Sequence, residues 1–172
     1  PSLRSVPTGG VMLHVIRRLV LGAVLALSST ALAGKVRWEF PSAGDTTTQS
    51  KMGQTLGRPM IVKTASGYVV IVTSGYNNTY DGKGRVWVLN PTDGSVLKEY
   101  VTADGSLASE SGLTHVSPFG EADGTVQYVY GGDLLGNVWR FDLSAAAVAS
   151  WPTNATKIAA VPPITRCANS QR

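Results

Sequence analysis

The C-terminal half of the chain contains the three residue types of a nucleophilic triad, Ser111, His115 and Asp133. Such a serine is activated when a histidine lies within hydrogen-bonding distance of its hydroxyl and a carboxylate orients that histidine. His115 alternates with Leu113 on a predicted strand, and nothing in the spacing places the three side chains together. The sequence therefore does not favour catalysis at these residues.

The remaining chemistry-bearing residues give little support to zinc or nucleotide sites. The single cysteine, Cys167, cannot form a disulfide within the chain. Together with His14 and His115, the two histidines, it cannot complete a four-ligand zinc site. Gly82 and Gly84 in "DGKGRV" lack the third glycine and the following helix of a dinucleotide-binding loop. Metal-centred hydrolysis and nucleotide chemistry are therefore disfavoured.

The loop "GYNNTYDGKGR" carries three oxygen donors, Asn77, Asn78 and Asp81. These side chains could act as ligands. Asn, Asp and Gly are also the residues that tight turns use to reach left-handed backbone conformations. The composition of the loop favours a turn over a ligand site.

Positive charge is concentrated at the N terminus. Residues 1–33 hold three arginines and no acid, whereas residues 34–172 hold 12 of the 15 basic residues and all 11 acidic ones. This balance does not predict nucleic-acid binding. Residues 12–33 combine arginines, an apolar helix-like stretch and the sequence Ala31-Leu32-Ala33, as in an export signal peptide. A buried helix or a stretch read in the wrong frame are the alternatives, and residues 1–11 are assigned no structure.

Short strands separated by turns account for most of residues 34–166. Runs of β-branched and aromatic residues alternate with Gly, Asn and Asp, and no amphipathic helix of convincing length is present. Residues 41–54 are expected to be a polar connection. The predicted fold class is all-β, with strands in "KVRWEF", "PMIVKT", "YVVIVTSGY", "RVWVLNP", "SVLKEYV", "LTHVSPF", "VQYVYGG", "NVWRFDL" and "ATKIAAV".

Two groups of four predicted strands repeat. Gly84 and Trp87 in "GRVWVLN" match Gly136 and Trp139 in "GNVWRFD" at an offset of 52 residues. Four short strands per repeat of this length indicate β-propeller blades. The chain is thus predicted to form a partial propeller of about two four-stranded antiparallel blades, with "GKVRWEF" as one strand of a preceding blade. A recurring tryptophan is expected to pack between blades rather than to bind a ligand.

The stretch "YVYGGDLLGNVWRFDL" spans the second and third strands of the second repeat. Gly131 and Gly132 are expected to end one strand, and Gly136 with Asn137 to lead into the next. Asp133 is then interpreted as a hydrogen-bond acceptor of the turn. Because a propeller needs about four to eight blades, two blades leave sheet faces uncovered, and the isolated chain is expected to be marginally stable or to associate.

Four segments, "GQTLGRPMIVKT", "GYVVIVTSGYNN", "GKGRVWVLNPTDGSVL" and "YVYGGDLLGNVWRFDL", together resemble the C-terminal propeller of the PilY family. Members are type IV pilus biogenesis factors and tip-associated adhesins of Gram-negative bacteria. The resemblance runs from about Gly34 to about Ile164. Because the chain begins with Pro1 and its tail, residues 167–172, departs from a continuing blade, we expect a piece of a longer protein.

The resemblance also implies a function and a location. It implies an exported protein in the periplasm, at the outer membrane or at the cell surface on the pilus tip. The expected partners are minor pilins, a host or abiotic surface, and the remaining blades of a longer chain. The implied roles are pilus biogenesis, adhesion and twitching motility, without catalysis.

A calcium loop of the form D-x-D-x-D-G-x-x-D is a further implication of the resemblance. In "FGEADGTVQ", Glu121 and Asp123 fit two ligand positions, whereas Phe119 and Gln127 occupy the outer ones. Calcium takes six to eight oxygen ligands, so this degenerate site is expected to bind weakly or not at all. The alternative is a plain hairpin turn at Asp123 and Gly124.

Two other functions stay open. One is a periplasmic scaffold propeller. The other is a fragment of a quinone-dependent dehydrogenase, because such enzymes share segments like "GKVRWEF" and "VLNPTDGSVL". They also need a central cofactor pocket with acids, a calcium ion and often paired cysteines. The sequence therefore favours a binding and assembly module over an enzyme.

Overall fold

The computed structural model describes residues 36–161 of the 172-residue chain. Residues 1–11, the signal-peptide-like residues 12–33 and the tail at 167–172 lie outside the described residues. The described part divides into two units after Glu39. Residues 36–39 of the first unit are irregular, and residues 40–161 of the second carry every element given below.

The second unit is built mostly from strands, which confirms the predicted all-β class. It has one short α-helix, α1 (Thr46–Lys51), and a 3₁₀ turn at Val148–Ser150. Within residues 36–161, neither of these helices is long and apolar enough to cross a membrane. The strands are β1 (Met60–Thr64), β2 (Gly67–Thr73), β3 (Arg85–Leu89), β4 (Val96–Val101), β5 (Val116–Gly120), β6 (Val126–Gly132), β7 (Asn137–Asp142) and β8 (Thr156–Ala160).

The eight strands form two antiparallel sheets in sequence order, β1-β2-β3-β4 and β5-β6-β7-β8, here called blade 1 and blade 2. The predicted repeat is visible in the strand register. Trp87 lies opposite Val72 in blade 1, and Trp139 lies opposite Gly131 at the equivalent place in blade 2. The architecture is therefore a partial β-propeller of two four-stranded blades.

The hydrophobic core lies between the two blades. Tyr100 of β4 packs edge-to-face on Phe141 of β7, with 5.7 Å between ring centroids, and its hydroxyl donates to the backbone carbonyl of Asp142. Burial raises the pKa of the Tyr100 hydroxyl. Full burial of one aliphatic or aromatic side chain contributes about 1.5–3 kcal/mol. The same core contains Val69, Ile71, Val86 and Val88 of blade 1, Leu113 of the segment between β4 and β5, and Val129 and Trp139 of blade 2.

The strand predicted for "GKVRWEF" is not formed in the described residues. Residues 36–40 are irregular, and neither four-stranded sheet includes them. Within residues 36–40 the strand expected from a preceding blade is therefore not formed, whereas the two blades themselves were predicted with their order of strands.

The predicted polar connection at residues 41–54 contains a helix instead. Helix α1 starts after Asp45, whose side-chain carboxylate accepts a hydrogen bond of 2.9 Å from the backbone N–H of Thr48. Hydrogen bonding from the side chain of Thr48, and from its backbone N–H, lowers the pKa of Asp45. The helix has six residues and buries none of them. Hydrophobic periodicity cannot reveal such a helix, because it has no apolar face.

Candidate functional site

Asp133 organises the turn that joins β6 to β7 in blade 2. Its Oδ1 accepts the backbone N–H of Asn137 at 2.8 Å. Its Oδ2 accepts three side-chain donors: Asn137 Nδ2 at 3.1 Å, Trp139 Nε1 at 2.8 Å and Ser111 Oγ at 3.0 Å. A carboxylate with this many donors holds the turn, the start of β7 and the preceding loop together. The structure thus places Asp133 as a hydrogen-bond acceptor of the turn.

The structure brings two of the three triad residue types together, but in the wrong order for catalysis. Ser111 donates directly to Asp133, whereas a nucleophilic serine needs a histidine between its hydroxyl and the carboxylate. In the described residues, His115 instead has its Nδ1 3.0 Å from Thr114 Oγ1. Ser111 is fully buried. Its contact with Asp133 therefore has a structural role.

Asp81 occupies the place in blade 1 that Asp133 has in blade 2, at the same offset of 52 residues. Its two oxygens bind the guanidinium of Arg85 at 2.7 and 2.6 Å. The hydrogen bonds from Arg85 lower the pKa of the Asp81 carboxyl. Both aspartates therefore bind the residue four positions later, which is an arginine in blade 1 and Asn137 in blade 2.

Arg85 extends this pair into a small ionic network. The side chain of Arg85 is 4% exposed, and its Nε donates to Glu99 Oε1 at 3.0 Å. Lys51, the last residue of α1, binds the same carboxylate at 3.1 Å. The ring centroid of Tyr80 lies 5.5 Å from Lys51 Nζ and 5.5 Å from Arg85 Cζ. A nearly buried arginine needs such partners, and the network attaches α1 to blade 1.

The glycines and tryptophans of the repeat serve packing in the described structure. A Cβ on Gly84 would lie 2.8 Å from the side chains of Leu113 and Ser111. Gly136 has φ +82°, where a side chain is strained. Gly132 is different, because a Cβ there would meet no atom within 4 Å. Both tryptophans are buried: Trp139 in the core between the blades and Trp87 against Phe40, at 5.5 Å between centroids.

The oxygen donors of the β2–β3 loop are used mostly by the loop itself. Asn78 is buried, and its Oδ1 accepts the backbone N–H groups of Asp81 at 3.3 Å and Gly82 at 3.0 Å. Its Nδ2 donates to the carbonyl of Lys83 at 3.1 Å. Asn77 is exposed and has φ +59°. Asn78 and Asp81 therefore shape the turn, while the side chain of Asn77 stays at the surface.

Glu121 and Asp123 lie in the hairpin between β5 and β6. Gly124 has φ +79°, and both oxygens of Asp123 accept hydrogen bonds from Thr125, at 2.8 and 2.9 Å. The bonds from Thr125 lower the pKa of Asp123. In residues 36–161 no group of three or more His, Cys, Asp and Glu side chains lies together. Two carboxylates supply only part of the six to eight oxygen ligands of calcium, and the weak or absent calcium binding expected at this hairpin stays a prediction.

The two blades present different side chains on equivalent faces. In blade 1 the face toward blade 2 is aliphatic and buried: Val69, Ile71, Val86 and Val88. By strand register, the equivalent residues of blade 2 form a half-buried surface on the side away from blade 1, called here the outer face. The outer face consists of Tyr128, Tyr130, Val138 and Arg140.

Arg140 is the unusual residue of the outer face. Its guanidinium lies over the ring of Tyr128, 5.1 Å from the centroid. Its Nε is buried and has no hydrogen-bond partner among the described residues. Phe119, 63% exposed, extends the aromatic surface next to Tyr130, at 6.3 Å between centroids. The outer face thus combines aromatic rings with one unsatisfied donor, which is the pattern of an interaction surface.

The chain is similar in sequence to several curated proteins that carry the same name. A type IV pilus biogenesis factor PilY1 homolog of Xylella fastidiosa is 31% identical over 160 residues, 87% of this chain and 10% of that protein. The type IV pilus biogenesis factor PilY1 of Pseudomonas aeruginosa is 32% identical over 111 residues, 63% of this chain and 9% of that protein. The chain therefore spans about a tenth of the length of the curated relatives it matches.

The fold has a solved counterpart. The crystal structure of the Pseudomonas aeruginosa PilY1 C-terminal domain matches 64% of this chain and 26% of that domain, with a TM-score of 0.53 and 20% identity. The model of the PilY1 β-propeller domain family matches residues 35–168, which include both blades. On this match, the chain belongs to the PilY1 β-propeller domain family.

Proposed function

We propose that this chain is a non-enzymatic binding and assembly module of a type IV pilus biogenesis factor. The observation that carries the proposal is the match of both blades to the PilY1 β-propeller domain, together with relatives that are named as biogenesis factors. The buried bonding of Asp133, Ser111 and Arg85 supports a structural use of the polar residues. The module works outside the cytoplasm, at the cell surface or on the pilus tip.

The outer face of blade 2 is the surface through which the module joins further blades. It is the counterpart of the blade 1 face that is covered by blade 2. An element that covers it must place a hydrogen-bond acceptor opposite Arg140 Nε, because a buried donor without a partner costs about 1–3 kcal/mol. A blade with an aspartate, a glutamate or a free carbonyl at that place fits this requirement.

Minor pilins are the proposed partners in assembly, and host or abiotic surfaces are the proposed targets in adhesion and twitching motility. A pull-down tests the first partnership. The full chain is immobilised and exposed to the soluble domains of minor pilins encoded in the same genome. We expect saturable binding of at least one minor pilin, and unchanged binding for Ile61→Ser, an exposed residue of β1.

Two further assays with the same immobilised chain separate the alternatives: exposure to outer-membrane assembly factors, and exposure to a quinone with a redox dye. Capture of outer-membrane assembly factors in place of minor pilins would support a periplasmic scaffold. Saturable quinone binding with reduction of a redox dye would support a dehydrogenase fragment. Either result, obtained with a folded chain, would contradict the proposed assembly role.

A further inference from the structure

A cleft of about 490 Å³ opens in blade 1 between the β2–β3 loop, residues 74–84, and the β4–β5 loop, residues 102–115. Its volume lies in the range of small-molecule sites. The cleft is separate from the β5–β6 hairpin and from the outer face of blade 2. It is lined by Asn77, Asn78, Thr79, Leu107, Ala108 and Glu110.

The two loops are fixed to each other before any ligand binds. The carboxylate of Glu110 accepts the backbone N–H of Asn77, and the backbone N–H of Ser111 donates to the carbonyl of Gly82 at 2.8 Å. The buried side chain of Asn78 holds the β2–β3 loop from within. A site whose walls are already ordered loses less conformational entropy on binding.

Asn77 presents an exposed amide side chain from a left-handed position of the β2–β3 loop. It is the one non-glycine residue with positive φ among the described residues, at +59°. Asn78 completes the hydrogen bonds of the loop, whereas the exposed amide of Asn77 lines the cleft. Asparagine adopts left-handed backbone readily in turns, so the contribution of Asn77 to the cleft is its exposed amide and not its φ.

The chemistry of the lining selects among ligand classes. It contains amides, one hydroxyl and one carboxylate, and none of its six residues carries a positive charge. An anionic ligand would therefore be repelled by Glu110. Leu107, 67% exposed, and Ala108 add a small apolar surface. Planar amide and carboxylate groups beside an apolar patch match the neighbouring hydroxyls and the C–H face of a sugar ring.

We propose that this cleft binds a neutral saccharide. The amide of Asn77 and the free oxygen of Glu110 hydrogen-bond to ring hydroxyls, and Leu107 contacts the C–H face of the ring. The proposal goes beyond the assembly role and rests on the cleft alone. A chain that binds no sugar can still assemble pili, so the two proposals fail separately.

The test is NMR titration of the folded full chain with four probes. Methyl β-galactoside and methyl β-N-acetylglucosaminide are neutral, sialic acid is anionic, and glucosamine is cationic. We expect both neutral sugars to shift the resonances of residues 77–79 and 107–110, with dissociation constants on the order of 1 mM. Sialic acid should bind at least about tenfold more weakly, because it meets the Glu110 carboxylate.

Three variants link binding to the lining. Asn77→Gly keeps the left-handed backbone but removes the amide, and should weaken neutral-sugar binding about tenfold. Glu110→Gln keeps an acceptor for the N–H of Asn77 but removes the charge, and should reduce the difference between neutral and anionic sugars. Leu107→Ser should weaken binding several-fold, whereas Ile61→Ser, of similar exposure on β1, should not change it.

Several results would overturn the proposal. These are an absence of shifts with both neutral sugars, shifts confined to residues outside the two loops, or binding unaffected by Asn77→Gly. Stronger binding of glucosamine than of either neutral sugar would identify a cation site instead.

Discussion

Replacing Asp133 with alanine should destabilise the chain more than any substitution of an exposed turn acid. Asp133 accepts four hydrogen bonds, and its donors belong to three buried residues: Ser111, Asn137 and Trp139. The Asp133→Ala variant leaves these donors facing a cavity. A buried unsatisfied donor costs about 1–3 kcal/mol, so two of the four donors left without an acceptor predict a loss of about 2–6 kcal/mol.

The assay is urea unfolding of the full chain, followed by tryptophan fluorescence, because Trp139 is buried in the folded state. The matched control is Asp93→Ala. Asp93 is likewise a turn acceptor: its carboxylate accepts hydrogen bonds from the backbone N–H and the hydroxyl of Ser95, but this turn is exposed. Its loss should lower the free energy of unfolding much less than the loss of Asp133 does, because water replaces the lost acceptor.

Equal effects of the two substitutions would refute this reasoning. If Asp133→Ala lowers the free energy of unfolding no more than Asp93→Ala does, the carboxylate is not the organising group of the β6–β7 turn. Asp133→Asn gives an intermediate test. One oxygen still accepts the backbone N–H of Asn137, but the new amide faces the three side-chain donors, so we expect a loss of about 2–3 kcal/mol.

Three further predictions concern charge, backbone and metal. The hydrogen bonds from Arg85 lower the pKa of Asp81, so their stabilisation is present above the unfolded pKa of about 3.9 and is lost as pH falls through the lower folded value. Acid titration of stability by circular dichroism should therefore be flatter for Asp81→Asn below about pH 4, and an unchanged curve would contradict this. Gly136→Ala should lower the free energy of unfolding by about 1 kcal/mol or more, because φ is +82° there, whereas Gly44→Ala, in open space, should not. Calcium at millimolar concentration should leave the melting temperature of the chain unchanged. A rise in melting temperature that Asp123→Ala abolishes would show instead that the β5–β6 hairpin binds calcium.

The sequence was sufficient to predict the two blades, because the strands carry β-branched or aromatic residues and most of the turns between them contain a glycine. The offset between Trp87 and Trp139 predicted that the strands would recur in the same order, and the register confirms it. Helix α1 was not predicted, since it is held by the local cap at Asp45 and not by an apolar face. A strand was expected at residues 34–40 from composition, but residues 36–40 are irregular, because β propensity depends strongly on structural context.

Among the site residues, too, local features were predictable from the sequence and contacts between distant residues were not. The turn at Asp133 follows from nearby glycines and Asn137, but its bond to Ser111 joins residues 22 positions apart. The bond of Arg85 to Glu99 spans 14 positions, and the cleft joins loops whose contact between Asn77 and Glu110 spans 33. No local pattern encodes such contacts, because they depend on which strands pair and on how loops distant in the sequence pack together.

The assembly function proposed for these two blades is tested most directly in living cells. The matched segment of Pseudomonas aeruginosa PilY1 is replaced with residues 35–168 of this chain, and surface pili are counted. We predict pili on cells with the chimera, and their loss when Arg140→Asp places an acid on the outer face. A stable, exported chimera that leaves cells as bare as a PilY1 deletion would contradict the assembly role.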